Sequence, residues 1–225
     1  MAVLDAGVNR ADLLAGRLRL LIAPTSVAIP VNIDDIVAMV SPYAKKTGWL
    51  ELGGTSDSTT YEMSMDSEEW FLQQSSQSVG ERITELMRSV STTLAEHAPR
   101  FIRYAEEGGA DFAISAGANK GAQTRVRSGD INTRTVYRLA LIGERDQVFG
   151  GTVTEPVGGL TRGPLFALVG HRAQIAPEDQ EMEFDAEDLV GREIQWNLYP
   201  DSSITASNEN TVSWFFESAG TIAAV

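Results

Sequence analysis

Two histidines are the residues of this chain most suited to catalysis or metal binding, because the sequence contains no cysteine. A functional histidine needs partners at a defined spacing. His97 and His171 fall in different predicted elements, without a paired histidine or a nucleophile motif nearby. We therefore expect both to be structural. The lack of cysteine also excludes disulfides, thiolate zinc sites and cysteine nucleophiles.

Other candidate sites are weaker. Residues 117–121, GANKG, contain a lysine between glycines but lack the wider glycine spacing and the Gly-Lys-Ser/Thr ending of a phosphate-binding loop. The run Pro177 to Asp188 is densely acidic, yet it has neither the central glycine nor the terminal glutamate of an EF-hand. Calcium binding there stays an alternative to a solvated acidic surface. No pair of carboxylates stands out as an acid and base. The sequence predicts no enzyme and no cofactor.

Composition indicates one soluble domain. With 225 residues, 43% of them hydrophobic, the chain can bury a sizeable core without metal or disulfide. We expect an arm over residues 1–15 and a single domain over 16–225. No stretch is typical of a signal peptide or a membrane span. The net charge of −13 opposes tight binding of phosphate, since the basic residues do not cluster.

Alternating and apolar runs predict a mainly β fold. A helical turn is predicted over residues 34–40, and glycine-rich connections over 110–132 and 150–163. The pattern is typical of a β-sandwich or barrel of seven or eight strands with one packed helix. Strands are predicted at residues 16–23, 48–52, 133–143, 165–175, 193–199 and 212–216.

The segment from Gly80 to Gly109 gives conflicting signals. Its second part is clear, since Pro99 suits a first helical position and Gly108-Gly109 a helix end, so a helix is predicted from Pro99 to Glu107. Its first part has apolar residues at helical spacings of three and four. The same residues include a Ser/Thr/Val run that disfavours a helix and a period-two pattern typical of a strand. The residues alone leave both interpretations open.

A polar excursion over residues 53–77 carries a large apolar cluster. Tyr61, Met63 and Met65 alternate with polar residues, and Trp70, Phe71 and Leu72 follow. Such a segment is either a hairpin folded onto the core or a loop that binds a partner.

Several segments, taken in order along the chain, resemble the major tail tube protein of long, non-contractile-tailed bacteriophages. Together they cover the chain from about Gly16 to Gly220, and they favour a strand from about Thr84 to Leu94. The segments are Trp49 to Gly53, Val90 to Glu96 with the helix from Pro99, Arg138 to Gly143, Trp196 to Asp201, and Trp214 to Glu217.

The resemblance implies a subunit of a hollow tube in a virion tail, assembled in the host cytoplasm. Six copies would form a ring, rings would stack, and the acidic wall would let genomic DNA pass without sequence-specific binding. Its partners would be other copies, the tape measure protein, and the tail terminator and tip proteins. We expect Trp49, Trp70, Phe71 and Leu72 at a subunit or ring interface, because aromatic residues are enriched there.

Two alternatives remain from the same reasoning. The chain could form the inner tube of a contractile injection system with a protein cargo. It could also be a β-sandwich that binds calcium or carbohydrate, in which case calcium should raise its thermal stability.

Overall fold

The computed structural model describes residues 18–39, 43–52, 59–71, 78–94, 112–114, 123–125, 135–145, 151–155, 161–176, 192–205 and 210–221. Within these ranges the protein is mainly β, as predicted. The strands in chain order are β1 (Arg19–Pro24), β2 (Leu50–Glu51), β3 (Thr60–Phe71), β4 (Ser78–Leu94), β5 (Phe112–Ile114), β6 (Gln123–Arg125), β7 (Tyr137–Glu144), β8 (Val153–Thr154), β9 (Thr161–Arg162), β10 (Leu165–Ile175), β11 (Arg192–Tyr199), β12 (Val212–Phe216) and β13 (Gly220–Thr221).

The chain forms two compact units that alternate along the sequence. The first contains the described residues up to 52, from 136 to 172, and from 200 onwards; the second contains those from 59 to 135 and from 173 to 199. The expectation of a single domain stays a prediction, and the arm over residues 1–15 lies outside the described residues.

In the first unit the main sheet has the order β2-β1-β7-β10, and β12 pairs with β10. Consecutive residues of β1, from Leu20 to Ala23, are all buried, which is typical of a strand covered on both faces. One face packs on Ile36, Val37 and Trp49. The short strands β13, β8 and β9 form a second sheet. This arrangement fixes the positions of β10 and β12.

The predicted helical turn is a 3-10 turn over Ile33–Asp35, shorter than expected. Asn32 caps it: its side chain accepts a hydrogen bond from the backbone N–H of Asp35, whose carboxylate accepts from the backbone N–H of Asn32. This reciprocal capping box satisfies donors that a helix start leaves without partners. Ile33 and Ile36 then point into the core.

The second unit contains an antiparallel sheet in which β4 lies between β11 and β3, and a separate pair of β5 with β6. The strand predicted from about Thr84 to Leu94 is confirmed and begins earlier, at Ser78. The described part of the excursion over 53–77 forms β3, one strand of a hairpin. Met63 and Met65 are 51% and 54% exposed, so this hairpin strand does not pack onto the core as one of the two interpretations had it. The predicted helix from Pro99 to Glu107 lies outside the described residues.

The glycine-rich connections were only partly right. Residues 110–132 include β5 and β6, and residues 150–163 include β8 and β9, so the described residues contain thirteen strands instead of seven or eight. These extra strands have two or three residues each, too few to show a hydrophobic period. In the part of the chain that is described, no helix is long and apolar enough to cross a membrane.

Candidate assembly surface

Strands β3 and β4 form a long two-stranded ribbon. They are 12 and 17 residues long and pair antiparallel from Thr60 opposite Ser91 to Phe71 opposite Ser78. On its other side, β4 pairs with β11 only between Arg88 and Leu94. Among the described strands, none pairs with residues 78–87 of β4 on the side away from β3. This part of the ribbon therefore has two strands only. We call β3 and β4 together the ribbon.

A bulge sets which side chains of the ribbon share a face. Asp66 lies opposite Glu85 and Ser67 opposite Ile83, so Thr84 is the extra residue. Directly opposite residues project from the same face of a sheet, and successive residues of a strand from opposite faces. The bulge therefore brings Ile83 onto the face that carries Leu86, three residues later in the sequence.

One face of the ribbon carries an exposed apolar patch, which Arg88, opposite Met63, borders. Met65 lies opposite Leu86, Met63 is two residues from Met65, and Ile83 joins them through the bulge. The exposed fractions are 51% for Met63, 54% for Met65, 57% for Ile83 and 43% for Leu86. We call these four side chains the apolar face. A contiguous exposed apolar patch is typical of a surface that binds another protein.

The opposite face is acidic. Asp66 and Glu85 lie directly opposite each other, and Glu68 lies opposite Arg82. Met87, which is 49% exposed and lies opposite Ser64, also belongs to this face. Like charges across a strand pair destabilise it, and a two-stranded hairpin is marginal in water by itself. The ribbon therefore gains more from a partner than a strand inside a larger sheet would.

A second exposed apolar patch lies on β12. Trp214 and Phe216 are two residues apart and so project from the same face; their ring centroids are 6.0 Å apart and their planes differ by 3°. They are 43% and 58% exposed. Strand β12 pairs with β10 through residues 212–216, and no other described strand pairs with it. We call Trp214 and Phe216 the β12 patch.

Buried ionic groups anchor the strand that carries this patch. The guanidinium of Arg162, 4% exposed, donates from Nη1 and Nη2 to the two carboxylate oxygens of Glu217 and also to the carbonyl of Met39. Burial opposes the charged guanidinium, but Glu217 outweighs it, so the pKa of Arg162 is raised. Glu217 also accepts from the backbone N–H of Leu165 at 2.7 Å. The end of β12 is thereby fixed to β9 and β10.

Tyr43 contacts Arg162 and Glu155 and has an unusual backbone conformation. Its φ of 53° lies in the left-handed region, which residues other than glycine rarely adopt. The hydroxyl of Tyr43 donates to Glu155, which is 2% exposed, and its ring lies 5.6 Å from the guanidinium carbon of Arg162. Burial and the adjacent Glu155 raise the pKa of Tyr43 to about 12. Arg19 donates to the carbonyl of Tyr43 at 2.8 Å and so helps to hold the conformation.

A cavity of about 210 Å³ lies beside Tyr43 and Arg162. Its walls include Val37, Ile142 and Leu165, and its charged side chains already have partners, since Arg19 pairs with Glu51 and Arg162 with Glu217. In the described part of the chain, no group of three or more His, Asp or Glu side chains could hold a metal ion. The two arginines at this cavity are therefore engaged in ion pairs within the first unit.

His171 resembles half of a catalytic pair. Its Nε2 lies 2.8 Å from the hydroxyl oxygen of Ser213, but its side chain is only 1% exposed. The Nδ1 atom makes no hydrogen bond, although the nearby carbonyl of Asn210 favours the protonated ring. Burial lowers the pKa of His171, and the positive charge of Arg138 lowers it further. Burial of a neutral imidazole is common for a histidine of the core, and the structural role of His171 stays a prediction. His97 lies outside the described residues.

The predicted interface residues fall in different environments. Trp49 lies in the core of the first unit and is 2% exposed, so it has almost no surface to offer a partner. Trp70 and Phe71 end β3, where the structure gives their backbone pairing only, and Leu72 lies outside the described residues. Their interface role stays a prediction. Sequence reasoning missed Ile83 and Leu86, whose place beside Met65 depends on strand register, and the exposure of Trp214.

Comparisons with known proteins give little more. No family model matches the chain, and no curated protein matches it. Among solved structures, the chain is similar to one titled "Crystal structure of Hcp protein", with 11% identical residues and a TM-score of 0.28. That alignment covers 89% of this chain and 98% of the other. A TM-score this low supports no argument about fold, assembly or function.

Proposed function

We propose that this protein is a structural subunit that assembles with copies of itself into a tube, as the resemblance of its motifs to phage tail tube proteins implies. The observation that carries the proposal is the apolar face of the ribbon, where Met63, Met65, Ile83 and Leu86 are each about half exposed. A soluble chain gains free energy by covering such a face, at roughly 25 cal/mol per Å² of apolar surface. Repeated contacts of this kind build rings and stacks of rings.

We propose six copies per ring, with the tape measure, terminator and tip proteins as further partners in a virion tail. Genomic DNA is the proposed cargo. The net charge of −13 supports this, because a wall of like charge repels phosphate and lets DNA slide instead of binding. The inner tube of an injection system, with a protein cargo, is the second candidate within the same class of structure.

Negative-stain electron microscopy of the purified protein at high concentration, with sizing chromatography alongside, tests the proposal. Hollow tubes or six-fold rings are the expected result. A strictly monomeric species at every concentration, and with added terminator or tip proteins as initiators, would contradict it. A rise in melting temperature with calcium would instead support the calcium-binding alternative.

A further inference from the structure

Each of the two units exposes an apolar patch: the second unit has the apolar face of the ribbon, and the first has the β12 patch. We infer that they are the two halves of one contact: the apolar face of one copy packs against Trp214 and Phe216 of a neighbouring copy. The inference rests on the proposed self-assembly and adds which surfaces meet. The subunits then join head to tail instead of through a symmetric pair.

The charge of the ribbon favours strand β12 of another copy over a second ribbon as its partner. The ribbon, residues 60–71 and 78–94, contains six acidic and two basic residues, a formal charge of −4. Strand β12, VSWFF, contains no charged residue. A ribbon that packs against a second ribbon brings two such charges together, whereas a ribbon that packs against β12 brings its charge against none. In a chain of net charge −13, the uncharged strand β12 is a surface that an acidic second copy approaches with little repulsion.

The side-chain chemistry of the two patches is also complementary. Met63 and Met65 are flexible thioethers, and methionine sulfur makes favourable contacts with aromatic rings. Trp214 and Phe216 present parallel rings fixed on a strand that is itself anchored through Glu217. Aromatic residues in such positions carry much of the binding energy of protein interfaces. Methionine also fills irregular gaps because its side chain is unbranched and flexible, so Met63 and Met65 can adapt to the shape of the two rings.

One head-to-tail contact also covers both patches in every subunit. Symmetric contacts would need two different interfaces, ribbon with ribbon and β12 with β12, to achieve the same burial. A single contact that uses unlike surfaces repeats around a ring or along a filament, which is what the proposed tube requires.

Cysteine cross-linking tests whether the apolar face of one copy contacts the β12 patch of another. Native thiols cannot interfere, because the chain has no cysteine of its own. Two single variants, Met65→Cys and Phe216→Cys, are mixed in equal amounts and oxidised. We expect a cross-linked dimer in the mixture and several-fold less in either variant alone. The matched control is Met87→Cys mixed with Phe216→Cys, since Met87 is similarly exposed but lies on the opposite face of the ribbon. Mixing single variants ensures that any cross-link joins two chains.

Each outcome decides something. Dimers of Met65→Cys alone would show ribbon packed on ribbon, and dimers of Phe216→Cys alone would show β12 packed on β12; either overturns the head-to-tail contact. Equal cross-linking by Met87→Cys would show collision instead of a specific face and also overturns it. If the protein forms tubes but the mixture does not cross-link, the inference fails and the proposed function stands. If the protein neither assembles nor cross-links, both fail.

Discussion

Nη1 of Arg138 donates a hydrogen bond to Oδ2 of Asp201 over 3.1 Å, and the two side chains are 6% and 11% exposed. The same nitrogen donates to the carbonyl of His171, while the other nitrogens of the guanidinium donate to the carbonyls of Thr25 and Val27. One buried cation thus ties β7 to the loop after β1, to β10 and to the segment after β11.

Asp201→Ala should destabilise the protein strongly. It leaves the buried guanidinium of Arg138 without its carboxylate, and the loss of one partner of a buried ion pair costs about 3–5 kcal/mol. Urea unfolding measures the effect. The matched control is Asp34→Ala, whose ion pair with Lys46 is exposed and should contribute less than about 1 kcal/mol. Equal losses in the two variants would show that burial does not strengthen the Arg138 pair.

The same carboxylate predicts a loss of stability in acid. Burial alone would raise the pKa of Asp201, but hydrogen bonds from Ser203 and Arg138 outweigh it and lower the pKa to about 2 from 3.8. The folded state therefore favours the ionised form. Its contribution of about 2 kcal/mol is present above pH 4 and disappears as the pH falls through about 2. Unfolding of the wild type and Asp201→Asn between pH 5 and 2 measures it, and the variant should show a shallower decline.

His171 predicts a second change at milder pH. Burial lowers the pKa of His171 from 6.5 in the folded state. Between the folded pKa and 6.5 the unfolded state therefore binds more protons than the folded state. The free energy of unfolding should then fall as the pH drops below 6.5 and level off below the folded pKa. His171→Gln should flatten this part of the profile. NMR titration of the imidazole signals measures the pKa of His171 directly, because the His171→Gln variant retains only His97 and so identifies the signal of His171. A signal of His171 that titrates at or above pH 6.5 would contradict the prediction.

Gly143→Ala should overpack the sheet of the first unit. A Cβ at Gly143 would lie 2.4 Å from two ring carbons of Phe166 and 2.9 Å from Leu18. Overpacking of this kind costs about 1–3 kcal/mol. The double variant Gly143→Ala with Phe166→Leu should recover part of the loss, because leucine vacates the space of the ring edge. Thermal unfolding of the three proteins checks both statements, and an unchanged melting temperature of the single variant would refute the close packing.

Met65→Glu should prevent assembly and leave the fold intact. The substitution puts a charge at the centre of the apolar face, where a partner would have to bury it, and costs the subunit itself little because Met65 is 54% exposed. Sizing chromatography and electron microscopy should show monomers. Met87→Glu on the opposite face is the control and should assemble as the wild type does. Tubes of normal length from Met65→Glu would remove the apolar face from the contact.

The strands that sequence predicted best are those with long apolar runs. Strand β10 begins and ends at the predicted residues, because burial on both sides makes its apolar residues consecutive. Strand β12 also has the predicted bounds although it is only partly buried, since its short Val and aromatic run lies between polar residues. The ambiguity in β4 has a local cause. Ile83 and Leu86 are three residues apart, as on a helix, because the bulge at Thr84 inserts a residue between two positions of one face.

The buried charges could not be predicted. Arg162 and Glu217 are 55 residues apart, and Arg138 and Asp201 are 63 apart, so only the tertiary fold brings them together. Charged residues are mostly exposed, and sequence reasoning follows that tendency unless a motif overrides it. The alternation of Met63 and Met65 with polar residues showed the β3 half of the apolar face. The β4 half, Ile83 and Leu86, could be assigned only from the strand register.

The ribbon also bears on aggregation. Strand β3 ends the order β11-β4-β3 in the described residues, and an edge strand of a sheet is a place where an extended chain can add. Glu62, Asp66 and Glu68 stand along this edge, and the bulge twists it. A second copy that added its own β3 there would bring acidic residues beside these three, and like charges across a strand pair oppose that pairing, so the charges on β3 act against strand addition between copies.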